Sequence, residues 1–170
     1  AAVWYRRTFT LPKEAAGKRV FLNFGAVDYA CEVWINGVSV GTHRGGYVGF
    51  QFEITKALCL GENTIVVCAD DDLRGGHQPY GKQSCLYHSH GCSYTRTTGI
   101  WQTVWLEWTN ETRIKNVRLT PDAVNNSVLI EAELDGDVKG VSLSARASFE
   151  GEYETELEAE ACGNAARLLM

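Results

Sequence analysis

The sequence predicts an all-β protein built from short strands, and three features support this. Segments rich in β-branched and aromatic residues recur along the 170 residues, separated by turns rich in Gly, Asn and Asp. An Asn36-Gly37 pair lies between two such segments, a pattern typical of a tight hairpin because both turn residues need positive φ. No amphipathic helix of ten residues can be drawn, and only residues 55–58 indicate a helical turn. Many short strands without helices predict a sandwich or a barrel.

Strands are predicted wherever a β-rich segment is closed by a turn residue. Residues 4–10 end before Leu11-Pro12, and residues 19–24 end at Gly25, because proline and glycine interrupt a strand. Further strands are predicted at residues 31–35, 38–41, 47–54, 64–69 and 102–108.

The composition changes near Asn110. Strands are predicted at residues 114–120, 127–134, 141–149 and 153–159, and these are poor in aromatic residues and rich in Glu. We therefore predict two domains, at residues 1–110 and 111–170, with the boundary near 109–112. The second has only about 60 residues where most sandwiches need about seven strands, and residues 163–170 predict no closing strand. The second domain is thus predicted to be incomplete.

Six glutamates alternate with other residues from position 150 to position 160. At period two, their carboxylates are expected to share one face of a strand. We interpret this face as solvated and kept from edge-to-edge association by its charge; the alternative is a surface for a cation or a basic partner. The residues are Glu150, Glu152, Glu154, Glu156, Glu158 and Glu160.

Composition and charge exclude several classes of protein. With 45% apolar, 11% aromatic and 22% charged residues, the chain is expected to be globular rather than disordered. The sequence contains no apolar stretch long enough to predict a membrane span, and no signal peptide is visible. The net charge of −5 divides into about +1 for residues 1–110 and −6 for residues 111–170. Neither part has the basic face that nucleic acid binding requires.

The six cysteines are predicted to be reduced. They are spread more thinly than in small secreted scaffolds, which use disulfides in place of a core. Cys68 lies in the apolar stretch 65–69, where a thiol behaves as a small core residue. We therefore predict a cytoplasmic protein.

Ordered short motifs along residues 4–121 resemble one enzyme family. The resemblance is to the glycoside hydrolases of family 2, which include β-galactosidases, β-glucuronidases and β-mannosidases. The motifs are WYRRTF at 4–9, DY at 28–29, VWING at 33–37, GTHRGGY at 41–47, FEIT at 52–55, GENT at 61–64, QPYGKQ at 78–83 and TRTTGIWQTVWLE at 95–107.

The resemblance implies a galactose-binding-like jelly-roll β-sandwich, the sugar-binding domain, at residues 1–110. It implies an incomplete immunoglobulin-like β-sandwich at residues 111–170. Catalysis in this family belongs to a later (β/α)₈ barrel, where two glutamates act as acid/base and nucleophile about 5–5.5 Å apart. The sequence has no strand–helix alternation and hence no such barrel. The resemblance therefore implies no catalytic residue, cofactor or metal in this chain, and as partners a β-glycoside and the missing catalytic barrel.

The resemblance also directs attention to five candidate sugar contacts in two glycine-flanked loops. Some members contact the sugar through an acidic residue three positions before Arg96, but Ser93 stands there in this sequence, and many have arginine at the position of Tyr80. The alternative is that Gln83, Tyr94 and Arg96 pack the loops against the barrel. The five candidates are Tyr80, Gln83, Ser93, Tyr94 and Arg96.

A possible metal site needs separate consideration. Cys85, His88, His90 and Cys92 supply four zinc-type ligands within eight residues. However, alternating His-x-His cannot easily close around one ion together with both flanking thiols. The sequence favours a mobile loop over a metal site.

Arginines and tryptophans each permit two interpretations. Arg6, Arg7 and Arg44 could bind an anion, but Arg6 and Arg7 are expected on opposite faces of a strand, which favours a structural ion pair or hydrogen bond, for instance with Asp28. Trp34, Trp101, Trp105 and Trp108 could stack on sugars. Because Trp101 and Trp105 are four residues apart and expected on one strand face, we predict that they belong to the core.

Three functions follow from these predictions. The first is an accessory, non-catalytic region of a β-galactosidase-like glycosidase. The second is a free-standing carbohydrate-binding module without hydrolytic activity. The third is a structural domain that serves subunit contacts in a homo-oligomer.

Overall fold

The computed structural model describes residues 2–170 and confirms the all-β prediction. Within these residues the helical segments are two 3₁₀ turns, Lys13–Ala15 and Thr55–Ala57, and the second confirms the helical turn predicted at 55–58. No helix in this part of the chain is long and apolar enough to cross a membrane. The strands β1 to β14 are, in order, Ala2–Thr10, Arg19–Phe24, Val27–Asp28, Ala30–Ile35, Val38–Arg44, Phe50–Glu53, Glu62–Asp70, Gly99–Ile100, Val104–Thr109, Arg113–Asp122, Ser127–Asp135, Ser142–Phe149, Glu152–Glu160 and Ala165–Leu169.

The strands belong to two compact units, the first ending at Trp108 and the second running from Thr109 to Met170. In the first unit, one sheet has the strand order β1-β7-β4-β5 and another the order β6-β2-β9, while β3 and β8 form a short pair. Apolar side chains from both larger sheets make one core, because alternate residues of each strand point inward. Its buried members are Val20, Leu22, Phe24, Val27, Cys31, Val33, Ile35, Ile54, Val67 and Ala69.

The predicted Asn-Gly hairpin is confirmed between β4 and β5. Asn36 and Gly37 have φ values of 52° and 83°, as a tight turn of this kind requires. The Asn36 amide also donates to the Ala57 carbonyl oxygen at 2.9 Å and to the Asn63 side-chain oxygen at 2.7 Å. The turn is therefore anchored to the start of β7 by its own side chain.

In the second unit, β10, β11 and β14 form one sheet and β12 and β13 a hairpin. The expectation of no strand after residue 163 is wrong, because Ala165–Leu169 pairs antiparallel with β11. Ala166 and Leu168 point into the core, with 3% and 5% of their surface exposed. Alanine has a weak intrinsic β preference, so pairing and burial, rather than local sequence, make this strand.

The predicted glutamate face is only partly correct. Glu150 has φ of 50° and lies in the turn before β13, so it does not share the strand face. Glu156 and Glu158 are exposed and accept hydrogen bonds from Ser144 and Ser142 on the paired strand. The Ser144 hydroxyl and the Arg146 guanidinium hold the pKa of Glu156 below its usual range. The side chain of Glu154 lies outside the described residues.

All six cysteines are free thiols in the structure, and Cys31 differs from the others in being buried. Burial raises the pKa of Cys31 to about 11, against a smaller opposing effect of its hydrogen bond with the His43 backbone. Because the thiolate is the nucleophile, Cys31 is expected to react with iodoacetamide at pH 8 at least roughly tenfold more slowly than the exposed Cys59 or Cys162. Peptide mass spectrometry over time measures this. In urea all six should react alike, and rapid labelling of native Cys31 would contradict the prediction.

Candidate sugar-binding site

Residues 71–98 form one long connection between β7 and β8, which belong to different sheets. We call it the long loop. Connections of this length in a compact unit are uncommon and usually functional. All five predicted sugar contacts lie in it.

Both ends of the long loop are tied to one buried carboxylate, that of Asp71, which is 4% exposed. The Gln78 amide donates to Asp71 Oδ1, and the Thr98 hydroxyl donates to Asp71 Oδ2 at 2.9 Å. The Gln78 side-chain oxygen in turn accepts from the Asp72 backbone N–H at 3.2 Å. Buried polar groups need such partners, so these bonds stabilise the loop in this conformation.

A second buried carboxylate, Asp28 in β3, connects the sandwich to the middle of the long loop. Gln83 Nε2 donates to Asp28 Oδ2 at 2.7 Å, and Gln83 Oε1 accepts from the Thr97 N–H at 2.9 Å. Asp28 Oδ1 has no hydrogen-bond partner within the described residues and faces Gly46, where a Cβ would lie only 2.6 Å away. Burial raises the pKa of Asp28, and the charge of Asp71 raises it further, while the hydrogen bond from Gln83 opposes both.

The expectation that an arginine pairs with Asp28 is wrong. Arg44 lies opposite Ala30 in the β4–β5 pairing, and its guanidinium packs over the Tyr29 ring at 5.8 Å. Arg6 and Arg7 line a cavity of about 830 Å³ beside β1 and β9, whose walls are mainly apolar. An amide suits the buried Asp28 because it donates a hydrogen bond without the desolvation cost of a second charge.

Backbone hydrogen bonds bring three of the five predicted residues together. The Tyr94 N–H donates to the Lys82 carbonyl oxygen, and the Ser84 N–H donates to the Tyr94 carbonyl oxygen, both at 2.7 Å. Gln83 therefore lies beside Tyr94 in a one-residue bridge, and its own N–H donates to the Tyr80 carbonyl oxygen at 3.1 Å. Tyr80 and Tyr94 are 38% and 61% exposed, so both rings are accessible to a ligand. The Gln83 amide has both of its polar ends bonded within the chain.

The other two predicted residues lie in different surroundings. Ser93 is half-buried and exchanges two backbone hydrogen bonds with His90, which closes a tight turn. Arg96 is half-buried and its guanidinium lies 4.8 Å from the centre of the Tyr87 ring. Backbone contacts thus link Tyr80, Gln83 and Tyr94 to one another. Ser93 pairs instead with His90, and Arg96 packs on the ring of Tyr87.

The segment from Cys85 to Cys92 is organised around a hydroxyl group. The buried Ser84 hydroxyl donates to the His88 carbonyl oxygen at 2.8 Å and lies 3.0 Å from His90 Nδ1. Among residues 2–170, no three His, Cys, Asp or Glu side chains converge on a point where they could hold a metal ion. One ring nitrogen of His90 is engaged by Ser84 instead.

The prediction that Trp101 and Trp105 belong to the core is wrong, since they are 49% and 46% exposed. Trp101 follows β8 in irregular backbone, so the assumption of a shared strand face fails. Its indole N–H donates to the Gly46 carbonyl oxygen at 2.8 Å, and its ring meets Tyr47 edge-to-face at 6.1 Å. This exposed aromatic pair therefore adjoins the Asp28–Gly46 contact, and exposed aromatic faces are suited to packing against sugars.

Comparison with known proteins identifies the family. The sequence profile described as "Glycosyl hydrolases family 2, sugar binding domain" matches residues 1–107. The chain belongs to glycosyl hydrolase family 2.

Individual glycosidases resemble much of the chain. A β-galactosidase from Thermoanaerobacter pseudethanolicus is 34% identical over 143 residues, 83% of this chain and 18% of the relative. A β-glucuronidase from Formosa agariphila is 36% identical over 104 residues, 61% of this chain and 10% of the relative. The structure of Bifidobacterium dentium β-glucuronidase in complex with coumarin-3-O-glucuronide superposes with a TM-score of 0.75, covering 99% of this chain and 33% of that one; at 22% identity this match shows the fold alone.

This family 2 chain spans less than a fifth of the length of these two sequence relatives. Its match to the sugar-binding domain covers the long loop, the Asp28–Gln83 contact and the Tyr47–Trp101 pair, because all lie within residues 1–107. The candidate site is therefore part of a domain that the family uses for carbohydrate.

Proposed function

We propose that this chain is the non-catalytic sugar-binding region of a retaining β-glycosidase of the β-galactosidase or β-glucuronidase type. We further propose that it is inactive alone. One observation carries this proposal: the family 2 sugar-binding domain matches residues 1–107, whereas the described residues contain no α-helix. A (β/α)₈ barrel needs eight helices, so the catalytic carboxylates must come from elsewhere.

The acids at the candidate site support an accessory role. Retaining hydrolysis needs two carboxyl groups about 5–5.5 Å apart on either side of the glycosidic bond. Asp28 and Asp71 are both buried, and each accepts a hydrogen bond from a glutamine of the long loop. They hold the loop in shape. The exposed rings of Tyr80 and Tyr94 would then face a sugar held mainly by the catalytic barrel.

A hydrolysis assay tests this proposal. The purified 170-residue chain is expected to release no p-nitrophenol from p-nitrophenyl β-galactoside or from p-nitrophenyl β-glucuronide. The protein expressed from the whole reading frame that contains these codons is expected to hydrolyse at least one of them. Hydrolysis by the 170-residue chain itself would contradict the proposal.

Two binding measurements separate the alternatives. As one wall of a larger pocket, the chain is expected to bind simple sugars in the millimolar range or more weakly. Micromolar binding together with a reading frame that ends at Met170 would favour a free-standing carbohydrate-binding module. A stable homo-oligomer of the 170-residue chain in light scattering would favour a role in subunit contacts.

We also propose that the second unit belongs to an immunoglobulin-like sandwich and that the protein is cytoplasmic. The five strands and small apolar core of the second unit support the immunoglobulin-like assignment. The six free thiols support the cytoplasmic assignment. Protein alkylated in urea directly on lysis should show six modified cysteines without reduction, because unfolding also exposes the buried Cys31. Fewer than six would indicate a disulfide and contradict the cytoplasmic assignment.

A further inference from the structure

The sequence between Asp72 and Glu107 contains no acidic residue. The same stretch carries Arg74, Lys82 and Arg96, in a protein whose net charge is −5. Most of it forms the long loop. Residues 73–98 of the loop therefore carry three cations and no acid, while the two acids of the loop, Asp71 and Asp72, stand at its first two positions.

Two of these cations converge on one exposed ring. The Arg74 guanidinium lies 4.0 Å and the Arg96 guanidinium 4.8 Å from the centre of the Tyr87 ring, which is 76% exposed. The two guanidinium groups are therefore separated by no more than the sum of these distances. Within residues 2–170 neither has a carboxylate partner. A cation–π contact leaves guanidinium N–H donors available, and the positive charge of both guanidiniums favours an anion near this ring.

The surroundings of Arg74 and Tyr87 have the size and chemistry of a ligand site. Arg74 and Tyr87 line a cavity of about 570 Å³ together with Tyr80 and His88. Small-molecule sites commonly measure about 300–1,000 Å³. Aromatic faces in the wall can pack against the C–H face of a sugar, while a guanidinium binds carboxylate or sulfate oxygens through paired N–H donors.

We propose that Arg74, Arg96 and Tyr87 form a recognition site for an anionic saccharide, one that carries a carboxylate or a sulfate group. The proposal rests on the proposed function, because the family 2 sugar-binding domain is what favours a saccharide over another anion. Arg74, which lines the cavity, binds the anionic group, and Arg96 adds a second positive charge beside the same Tyr87 ring. Tyr87 holds the two guanidiniums in place, and Tyr80 in the same cavity wall presents an aromatic surface to the sugar ring.

Titration of the 170-residue chain with matched sugars tests this inference. The probes are methyl β-glucuronide, methyl β-galactoside 6-sulfate and the neutral methyl β-glucoside. At low salt, at least one acidic sugar is expected to bind roughly fivefold or more tightly than the neutral one, and added NaCl should remove that advantage. The acidic sugar that binds more tightly identifies the group recognised.

Single variants assign the effect to residues. Arg74→Gln is expected to remove most of the preference for the acidic sugar, and Arg96→Gln is expected to remove a smaller part of it. Arg118→Gln is the matched control, because it removes the same charge from an exposed position in the second unit. An unchanged melting temperature in all three variants would show that the fold is intact. The salt dependence of binding by the unaltered chain tests the same inference without any variant.

Three outcomes overturn the inference. Equal binding of acidic and neutral sugars would refute anion recognition and leave the proposed function standing. No binding of any sugar would also refute it, while the hydrolysis assay of the whole reading frame would still decide the proposed function. Arginine-dependent binding of a short acidic peptide without sugar binding would assign the positive charge to a protein contact.

Discussion

Replacing Gly99 by alanine is expected to lower the free energy of unfolding of the first unit by about 2–5 kcal/mol, the sum of backbone strain and overpacking. Gly99 has φ of 99°, a conformation that residues with a Cβ rarely adopt. A Cβ there would lie 2.1 Å from the Tyr5 hydroxyl oxygen and 3.0 Å from the ring carbon that bears it. Tyr5 packs against the core and its hydroxyl accepts a hydrogen bond from the Ile100 N–H, so its ring cannot move aside freely.

Urea unfolding followed by tryptophan fluorescence measures this loss in the first unit, because all five tryptophans precede residue 109. Gly91→Ala is the matched control: Gly91 also has positive φ, at 53°, but a Cβ there would meet nothing within 4 Å. It should cost only about 1 kcal/mol. Adding Tyr5→Phe to Gly99→Ala removes the closest atom and should restore part of the loss. Equal stability of the Gly99→Ala and Gly91→Ala proteins would show that the collision is absent.

Removing the Asp28 carboxylate is expected to destabilise the first unit by about 1–3 kcal/mol, because the Gln83 amide loses its acceptor. Asp28→Asn retains an acceptor oxygen and should lose about 1 kcal/mol less than Asp28→Ala. Gln83 Oε1 also accepts a hydrogen bond from the Thr97 N–H. Hydrogen exchange of the Thr97 backbone amide is therefore expected to be faster in Asp28→Ala than in Asp28→Asn. Equal effects of the two variants would show that Gln83 does not depend on this contact.

The pH dependence of the Asp28 contribution follows from its raised pKa. Burial makes the folded protein hold the proton of the Asp28 carboxyl more tightly than the unfolded chain does. In the unfolded chain the pKa of this carboxyl has its ordinary value of 3.8. The stabilisation is therefore fully present below the unfolded pKa and is lost as the pH rises through the folded pKa. Relative to Asp28→Asn, the unaltered protein is expected to lose stability as the pH rises from 3 towards neutrality. A difference that grows in the opposite direction would contradict the raised pKa.

Much of the fold could be predicted because strands and tight turns depend on neighbouring residues. The hairpin at Asn36-Gly37 is one example, since the two residues needed for positive φ are adjacent in sequence. The last strand, Ala165–Leu169, could not be predicted in this way. Its residues become a strand only when β11 supplies hydrogen-bond partners and the core accepts Ala166 and Leu168.

The candidate site was predicted less completely than the fold. The five predicted contacts do lie in one loop, because glycine-flanked polar segments mark loops whatever the tertiary structure. Their individual surroundings depend on distant residues: Gln83 bonds Asp28, which is 55 positions away, and Arg96 meets the ring of Tyr87 across a turn. The prediction that Trp101 belongs to the core is wrong because residues 101–103 are not in the strand conformation that the spacing rule assumes.

The sequence by itself determined the all-β class, the Asn-Gly hairpin and membership of family 2, since each depends on short motifs and on the order in which they occur. Only the tertiary structure decided which carboxylates are buried, which amides donate hydrogen bonds to them, and which cations contact the Tyr87 ring. The reason is physical. A hydrogen bond or cation–π contact between residues far apart in sequence exists only once the sheets have closed and fixed both partners, and no local pattern records that geometry.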